Sequence, residues 1–463
     1  MLTRSVRLTV LGLLLAALVA TVHAAELDWT VELLPADADW LLAIPNCVND
    51  HEEICGVYVE EGGWYFAQKG ILWRGGGYED LATTVGLPTG KVYSQANGIS
   101  NRGIVVGSAY DLDGRTVSSP QTAVAWDLRA GTVHDLHPAA FGYAESAAIA
   151  VDDTGRIAGA ARTFDPPNSV FEERAVVWER GSTWTARLLP FPTGSDFTVS
   201  AAFAVHESGL VAGWMQDDLF SLEPHATVWL PDGTIVDLHE DILALDEDMS
   251  WTRAFGVDQE GRVVGHALGL LTGRALPWTW TAEDGVQALD TGDSEQFIVS
   301  DAIQGYADLV VGADGDANAG GQVAAIWTEG DLTWLPLLDG LRNMWATSVS
   351  TKGVIVGHAI PTPNSWWWQG SRGFIATPTP DPERLLARLI GIVERADLPR
   401  GVQTALLAKL AAASGDGSGE SVKPGPLGAF SNLVEAQYGQ KIPTDLGDDL
   451  LADVEEIADL LTD

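Results

Sequence analysis

Residues 96–107 read ANGISNRGIVVG, and this twelve-residue pattern decides the fold because it returns along the chain. It places Ala first, Ile or Val three residues on, a polar residue next, and then Gly-x-[VI]-[VA]-Gly. Other full copies lie at 148–159, 202–213, 254–265 and 346–357, and a degraded copy ends at 308–312. A polar residue followed by Gly three residues later is typical of a type I turn. Each copy therefore predicts two short strands joined by a tight turn.

A second element follows each copy: a small residue, two mostly apolar residues and then Trp. These positions recur at steps of 49 to 53 residues. They are Trp73, Trp126, Trp178, Trp229, Trp278, Trp327 and, in the seventh unit, Ala376. Asp-Leu pairs after several of them indicate a fourth strand. Four short strands in every unit of about 50 residues predict an all-β β-propeller. The count favours seven blades and leaves six as the alternative, because the first unit lacks a clean Gly-rich copy.

The N-terminal segment predicts how the ring closes. Residues 29–35 read WTVELLP and repeat WTARLLP at 184–190, where the string forms a fourth strand. The last unit runs into prolines, which cannot supply a ladder strand. We therefore expect 29–35 to complete the last blade and remove two open sheet edges. The rival arrangement places this segment in the first blade, beside Trp73.

The repeat also resembles a known family. The strands HATVW at 225–229, RAVVW at 174–178 and RGFIA at 372–376, each after a Gly-rich strand, resemble the HAF-type extracellular repeat of secreted bacterial proteins. The resemblance covers roughly residues 28–378. It implies export and a repeat fold, and it brings no catalytic residues.

The first 24 residues read as a secretory signal peptide. Arg4 and Arg7 precede an apolar run over 8–22, and small residues follow at the cleavage position. An uncleaved anchor is the alternative. No later stretch is long and apolar enough to span a membrane, so the sequence predicts a secreted or periplasmic protein whose propeller occupies 25–378. In an oxidising compartment Cys47 and Cys55, the only cysteines, are expected to form a disulfide.

A helical region follows the proline-rich stretch 377–382. Beyond it the apolar residues recur with a helical period, which predicts a small bundle over 379–463. The phrases AFSNLVEAQYGQKI at 429–442 and LLAKL at 406–410 resemble the FIMAH-type module at the C-terminal end of many secreted bacterial proteins. The resemblance implies a role in attachment or accessory interaction.

Charge and motifs narrow the function. Lys and Arg number 26 against 64 Asp and Glu, a net charge of −38, which excludes nucleic acid as a natural partner. The chain contains no Gly-x-Ser-x-Gly elbow, and we predict neither a catalytic motif nor a required cofactor. Two functions remain: an exported, non-enzymatic binding or cell-surface scaffold for a protein or glycan ligand, which we favour, or a secreted propeller enzyme acting on polysaccharide.

Two segments are candidate sites. Trp366, Trp367 and Trp368 could stack on sugars or anchor a protein partner, although packing between blades is the stronger interpretation. Asp314, Asp316 and Asn318 have the alternating spacing of a calcium loop, but no Glu stands at its twelfth position, so a solvated turn is favoured. We attribute the mixed polar residues Ser100, Asp152, His206, Asp258 and Ser350 to turn geometry.

Overall fold

The computed structural model describes residues 29–61, 67–113, 116–117, 120–165, 170–217, 223–291, 309–316, 321–328, 330–338, 340–341, 343–360, 370–396, 398–414 and 422–461. The predicted signal peptide lies outside this set. The chain divides into two compact units, one over Trp29–Thr377 and the other containing Pro378–Asp463.

The first unit is a seven-bladed β-propeller, as the repeat predicts. Each blade is an antiparallel sheet whose strands follow one another in order, and blade 6 has three strands among the described residues. Blades 1 to 3 contain β1–β4 (Trp40–Val48, Ile54–Glu60, Lys69–Arg74, Gly77–Asp80), β5–β8 (Tyr93–Ile99, Ile104–Tyr110, Thr122–Asp127, Thr132–Asp135) and β9–β12 (Glu145–Val151, Ile157–Asp165, Val170–Arg180, Trp184–Leu188). Blades 4 to 6 contain β13–β16 (Val199–Val205, Val211–Gln216, His225–Trp229, Ile235–Asp237), β17–β20 (Trp251–Val257, Val263–Leu268, Ala275–Thr281, Gly285–Ala288) and β21–β23 (Leu309–Asp316, Gly321–Thr328, Asp331–Trp334). Blade 7 contains β24–β26 (Asn343–Val349, Ile355–Ile360, Arg372–Pro378) and the N-terminal strand β27 (Trp29–Leu33).

Small elements decorate the blades. Strands Leu112–Asp113 and Thr116–Val117 pair with each other outside blade 2. Short helices occur at Leu81–Thr84, Ala139–Phe141 and His239–Leu243.

The turns between the first two strands of each blade have the predicted geometry. The amide of Gly103 donates to the carbonyl of Ser100 over 3.0 Å, and the equivalent bond recurs in blades 3, 4, 5 and 7. Gly103 has a φ of 73°, a region that L side chains rarely adopt. In blade 1 Glu52 takes the same place with a φ of 59°, and among the described residues it is the one non-glycine residue with positive φ. This substitution explains why the first unit looks degraded in sequence.

The repeated Trp residues join neighbouring blades. Trp73, Trp126, Trp178, Trp229 and Trp327 are all buried at equivalent register positions of their strands. Each indole Nε1 donates to a carbonyl oxygen at the end of the preceding blade, over 2.6–2.9 Å. The acceptors are the carbonyl oxygens of Pro35, Gly86, Leu136, Pro190 and Asp290.

Blade 5 departs from this arrangement. Trp278 is buried as predicted, but the register equivalent of the other Trp residues is Trp280, which pairs with Val263. Trp278 pairs with Gly265, two positions earlier, and its ring covers that glycine, as the ring of Phe374 covers Gly357 in blade 7. Blade 5 has Trp at both register positions, Trp278 and Trp280. The sequence prediction used Trp278 and was therefore wrong by two residues about the equivalent position.

The N-terminal strand closes the ring in the last blade, as predicted. The strand β27 (Trp29–Leu33) lies beside β26 (Arg372–Pro378), and the amide of Leu34 donates to the carbonyl of Gly373 over 2.9 Å. The repeat equivalence extends to side chains. The indole of Trp29 donates to the carbonyl of Gly353, as Trp184 donates to that of Gly155. The rival placement in the first blade is excluded.

The predicted disulfide is absent from the structure. Cys47 and Cys55 face each other across β1 and β2, yet both are free and buried. The Sγ atom of Cys47 lies 3.9 Å from the carbonyl oxygen of Ile99 and 3.8 Å from the hydroxyl of Ser348, which belong to the two neighbouring blades. Burial raises the pKa of both thiols, which disfavours the reactive thiolate. The spacing predicted the pairing of the strands but not the state of the sulfur atoms.

The second unit contains four helices: α1 (Pro382–Arg395), α2 (Arg400–Ala413), α3 (Pro424–Gln437) and α4 (Thr444–Leu460). Their apolar faces form one core, which contains Leu389, Leu406 and Phe430, all buried. A buried ion pair joins Arg388 to Asp453 within it. The helix α3 begins at Pro424, because proline is tolerated in a first helical turn. No helix within the described residues has the length and apolarity to cross a membrane.

The indole bonds between blades generate a stability prediction. We expect Trp178→Ala to lower the free energy of unfolding by about 3–5 kcal/mol, because it opens a large cavity. Trp178→Phe should cost less, about 1–3 kcal/mol, since it leaves the carbonyl of Leu136 without its donor. Thermal unfolding measures both, with the fully exposed Leu271→Ala as the control. Equal stability of Trp178→Phe and the wild type would show that the hydrogen bond from Trp178 to Leu136 does not stabilise the contact between the blades.

Ring closure generates a second prediction. Deleting residues 29–35 should lower the unfolding temperature and promote aggregation, because it exposes the edge of β26 and unties the first and last blades. Light scattering and thermal unfolding measure the effect. The control is Glu32→Ala, which changes an exposed side chain of β27 and keeps the strand. A monomeric deletion variant with unchanged unfolding temperature would show that closure is dispensable.

Candidate functional site: the central channel of the propeller

The innermost strands carry a β-bulge at the same place in the six blades where they are described. A glycine on the second strand makes room for it. A Cβ atom at Gly107 would lie 1.8 Å from the carbonyl oxygen of Gln95, and one at Gly213 would lie 2.0 Å from that of Ala201. No other residue fits this close approach. Bulges re-aim side chains, and here they turn one residue per blade toward the central channel.

These six residues form what we call the bulge ring. All of them are half-buried and line one central cavity, so solvent and a ligand can reach them. The bulge ring consists of Asn46, Asn97, Ile149, Phe203, Phe255 and Thr347.

One half of the bulge ring is polar. Thr347, Asn46 and Asn97 follow one another around the ring, and each donates a hydrogen bond of 2.8–2.9 Å to the next blade. The acceptors are the carbonyl oxygens of Pro45, Ala96 and Ala148, each directly before a bulge residue. These bonds fix the two amides by their nitrogen atoms. Among the described residues no donor reaches the Oδ1 atom of either Asn, so both oxygens remain available to a ligand.

The other half of the bulge ring is apolar. Ile149, Phe203 and Phe255 come from consecutive blades. The two phenyl rings stack with centroids 5.3 Å apart and planes 13° from parallel. The ring of His266 also stacks on Phe255, and their centroids lie 4.7 Å apart. The result is a fixed aromatic surface facing three polar side chains.

The cavity has a volume of about 510 Å³, within the range of small-molecule sites. Beyond the bulge ring it is lined by Ile44 and Val57 and by the paired amides of Gln68 and Gln95, in which Gln95 donates to Gln68. Among the described lining residues there is no Asp, Glu, Lys or Arg. The cavity therefore offers hydrogen bonds and apolar contact without formal charge.

His358 completes the lining on the polar side. Its ring stacks on Trp345, with centroids 5.0 Å apart. Its Nδ1 atom is buried, and no described residue bonds to it. Burial lowers the pKa of His358 to about 4, so the imidazole is neutral at pH 7. A neutral ring with no acceptor at Nδ1 favours the tautomer that carries its proton on Nε2.

The turns between the first two strands form a narrow mouth of the channel, with a space of about 90 Å³. Hydrogen bonds between blades run around it. The amide of Thr351 donates to Asp50, that of Asp50 to Asn101 and that of Asn101 to Asp153, over 2.7–2.8 Å. Each acceptor is a side-chain Oδ1 of the next blade. These polar side chains hold the blades in place.

Two buried carboxyls at this mouth, those of Asp153 and Asp258, have raised pKa values, and Asp153 has like-charged neighbours. Burial, with a smaller contribution from the neighbouring carboxylates Asp50 and Glu207, raises its pKa to about 6, although two hydrogen bonds from Asn101 oppose the shift. Asp258, in the equivalent turn of blade 5, also has its pKa raised to about 6 by burial. Both shifts arise from packing of the turns.

Charged residues gather at the opposite end of the innermost strands. In blade 3, Arg162 stands between Glu145 and Glu173 in the register of three strands, and its Nε lies 2.7 Å from Glu145 Oε2. Burial raises the pKa of Glu173, while the charges of Arg162 and Arg253 lower it. At this end of blade 3 two carboxylates therefore flank one guanidinium group.

The sequence-predicted sites fare differently. Trp366, Trp367, Trp368 and Asn318 lie outside the described residues. Asp314 and Asp316 lie on the strand β21 and not in a loop. Asp314 is buried, and its Oδ2 accepts a hydrogen bond from Trp334 Nε1 over 2.9 Å. Within the described part of the chain no group of three or more His, Cys, Asp or Glu could hold a metal ion.

The turn residues behave as turn residues. Asp152 Oδ1 accepts hydrogen bonds from the amides of Thr154 and Arg156, and Asp258 repeats this pattern with Glu260 and Arg262.

The residues of the bulge ring, by contrast, were not predicted from the sequence. A signal exists: each bulge residue stands ten positions before the glycine that accommodates the bulge, as Asn97 precedes Gly107 and Phe203 precedes Gly213.

Comparison with known proteins adds the fold alone. No family model and no curated protein matches the chain. The β-propeller domain of the Trilobed protease from Pyrococcus furiosus is similar at 10% identity and a TM-score of 0.45, over 74% of this chain and 98% of that one. The Pyrococcus horikoshii acylaminoacyl peptidase is similar at 9% identity and a TM-score of 0.43, over 74% of this chain and 52% of that one. The polysaccharide lyase Uly1 is similar at 9% identity and a TM-score of 0.43, over 78% of this chain and 95% of that one.

The raised pKa of Asp153 generates a pH prediction. Its folded pKa of about 6 exceeds the ordinary 3.8, so the native state binds the proton more tightly and loses stability as pH rises from about 4 to 6. Asp153→Asn removes this loss. Relative to wild type, its free energy of unfolding should increase by at most about 3 kcal/mol between pH 4 and 7.

Thermal unfolding across this pH range measures the difference. Asp232→Asn is the matched control, because hydrogen bonds from Thr234 lower the pKa of exposed Asp232, and its relative stability should change in the opposite direction. A pH-independent difference between Asp153→Asn and the wild type would contradict the prediction.

Proposed function

We propose that this protein is an exported, non-enzymatic binding protein that holds its ligand in the central cavity of the propeller. The observation that carries the proposal is the bulge ring. One residue per described innermost strand is turned inward, and the residues at these equivalent places differ in chemistry. Equivalent positions that served packing alone would call for similar side chains, whereas a binding site calls for different ones.

The lining supports binding in preference to catalysis. General acid–base catalysis needs a group with a pKa near the working pH. The two titratable residues that line the described cavity are His358 and Cys47. Burial lowers the pKa of His358 to about 4 and raises the pKa of the Cys47 thiol from its ordinary value, so both groups are neutral at pH 7.

The cavity is also held rigid before a ligand arrives. The hydrogen bonds of Thr347, Asn46 and Asn97 to neighbouring blades fix their side chains, and the stack of Phe203 and Phe255 fixes the facing surface. A site whose side chains are already ordered loses less conformational entropy when it binds.

Export and attachment belong to the same proposal. The signal-peptide pattern at 1–24 and the resemblance to the HAF-type repeat favour a secreted or periplasmic protein. The four-helix unit, with its resemblance to the FIMAH-type module, would attach the propeller to a partner. Its own core is complete, with Leu389, Leu406 and Phe430 fully buried.

An enzyme acting on polysaccharide is the second candidate, and one observation favours it. Glu145 and Glu173 flank Arg162 at the channel end, and burial raises the pKa of Glu173, as a general acid requires. This cluster lies outside the described cavity lining.

The experiment screens oligosaccharides, peptides and small metabolites for binding and for chemical change. We expect a ligand that shifts the unfolding temperature and is recovered intact. Ala150→Phe, which fills the cavity, should abolish the shift, whereas Leu271→Phe, which adds the same ring at a fully exposed position, should retain it. Turnover lost in Glu145→Gln or Glu173→Gln would establish the enzyme instead. Binding unaffected by Ala150→Phe would place the site elsewhere.

A further inference from the structure

We infer that the ligand of the central cavity is a neutral saccharide, bound with one face of a sugar ring on the aromatic half of the bulge ring and its hydroxyl groups toward the polar half. This inference rests on the proposed function and specifies its ligand. It follows from the two-sided distribution of the lining, from the lack of charge and from the unused hydrogen-bonding atoms.

The aromatic half suits the apolar face of a sugar. The stacked rings of Phe203 and Phe255, joined on one side by Ile149, give a broad apolar surface at one side of the cavity. Aromatic rings contribute large contact area with little loss of side-chain entropy. A purely apolar ligand would match this half but would leave the opposite amides without partners.

The polar half suits hydroxyl groups, which both donate and accept hydrogen bonds. The Oδ1 atoms of Asn46 and Asn97 accept, while the paired amides of Gln68 and Gln95 present a second row beside them. His358 also lines this cavity, and its neutral ring favours a proton on Nε2, which can donate a hydrogen bond. This side of the cavity therefore offers both acceptors and donors of hydrogen bonds.

The charges of the molecule exclude ionic ligands. An anion would meet a protein of net charge −38 with no described Arg or Lys in the cavity. A cation would lose its hydration without gaining a carboxylate, which is costly. A neutral polyhydroxylated molecule is the class that satisfies both halves of the bulge ring without formal charge.

The volume supports a short saccharide unit. A space of about 510 Å³ lies in the range that small ligands occupy. The narrow mouth, at about 90 Å³, is bridged by the hydrogen bonds of Asp50, Asn101 and Asp153. We therefore expect the cavity to take the terminal one or two sugars of a chain and not its middle.

The test is isothermal titration of the full chain with neutral mono- and disaccharides built on glucose, galactose, mannose and N-acetylglucosamine, beside their uronate counterparts. At least one neutral sugar should bind, and its uronate should bind at least 10-fold more weakly. Phe255→Ala should weaken binding 10-fold or more, while Phe255→Tyr, which keeps the ring, should stay within about 3-fold.

Asn97→Asp is the decisive polar variant, because it keeps the shape of the side chain, adds a charge and removes the donor to the carbonyl of Ala148. It should weaken neutral-sugar binding at least 10-fold, and Leu271→Ala should leave it unchanged. Circular dichroism and unfolding temperature establish that each variant is folded.

Three results would overturn the inference. Preferred binding of the uronates would refute the neutral class. Sugar binding that survives Phe255→Ala and Asn97→Asp would refute the site. Failure of all sugars at 10 mM would refute the saccharide, and the proposed function would then stand only if a different ligand is lost in Ala150→Phe, so the two failures are distinguishable.

Discussion

The close contact between a backbone carbonyl of each innermost strand and a glycine of the next strand governs this structure. A Cβ atom at Gly159 would lie 2.1 Å from the carbonyl oxygen of Ala147, and every described blade with an innermost strand repeats the contact. The glycine is required because the bulge pushes the carbonyl outward. The same bulge turns one side chain inward. The residue that makes the repeat recognisable in sequence is therefore the residue that creates the channel lining.

A second set of contacts converts separate sheets into a ring. In blades 1 to 4 and in blade 6 an indole bond runs to the end of the blade before, and Trp73 carries this series across the closure point by donating to the carbonyl of Pro35. The N-terminal strand thus serves both ends of the chain. Its edge pairs with β26, and the carbonyl of Pro35, two residues beyond its end, accepts the inter-blade bond from Trp73. Near the axis, at the narrow mouth, bonds between a backbone amide and a side chain also join neighbouring blades. One example is the bond from the amide of Asn101 to Asp153 Oδ1.

Much of this fold could be predicted from the sequence, because glycine spacing and Trp recurrence report backbone constraints directly. The seven blades, the tight turns and the closing strand followed from them. The errors have physical causes. Two Trp residues in blade 5 compete for one register, and only pairing distinguishes Trp280 from Trp278. Opposed cysteines indicate strand pairing without fixing their oxidation state. The cavity was missed because a bulge breaks the simple alternation by which strand faces are assigned.

Some positions of each repeat are constrained by the fold and others are free to vary, and this difference explains where a binding site can form. The glycine cannot vary without a clash, and in the blades whose indole is hydrogen-bonded, loss of the Trp removes a bond to the preceding blade. The bulge residue has no register partner on the second strand, so its chemistry is free to differ between blades. Asn97 and Phe255 occupy the same backbone position and differ in every property that a ligand senses. A repeat of this kind can therefore change its ligand by substitutions around the bulge ring without changing its fold, and the positions that depart most from the repeat are those to be tested first for binding.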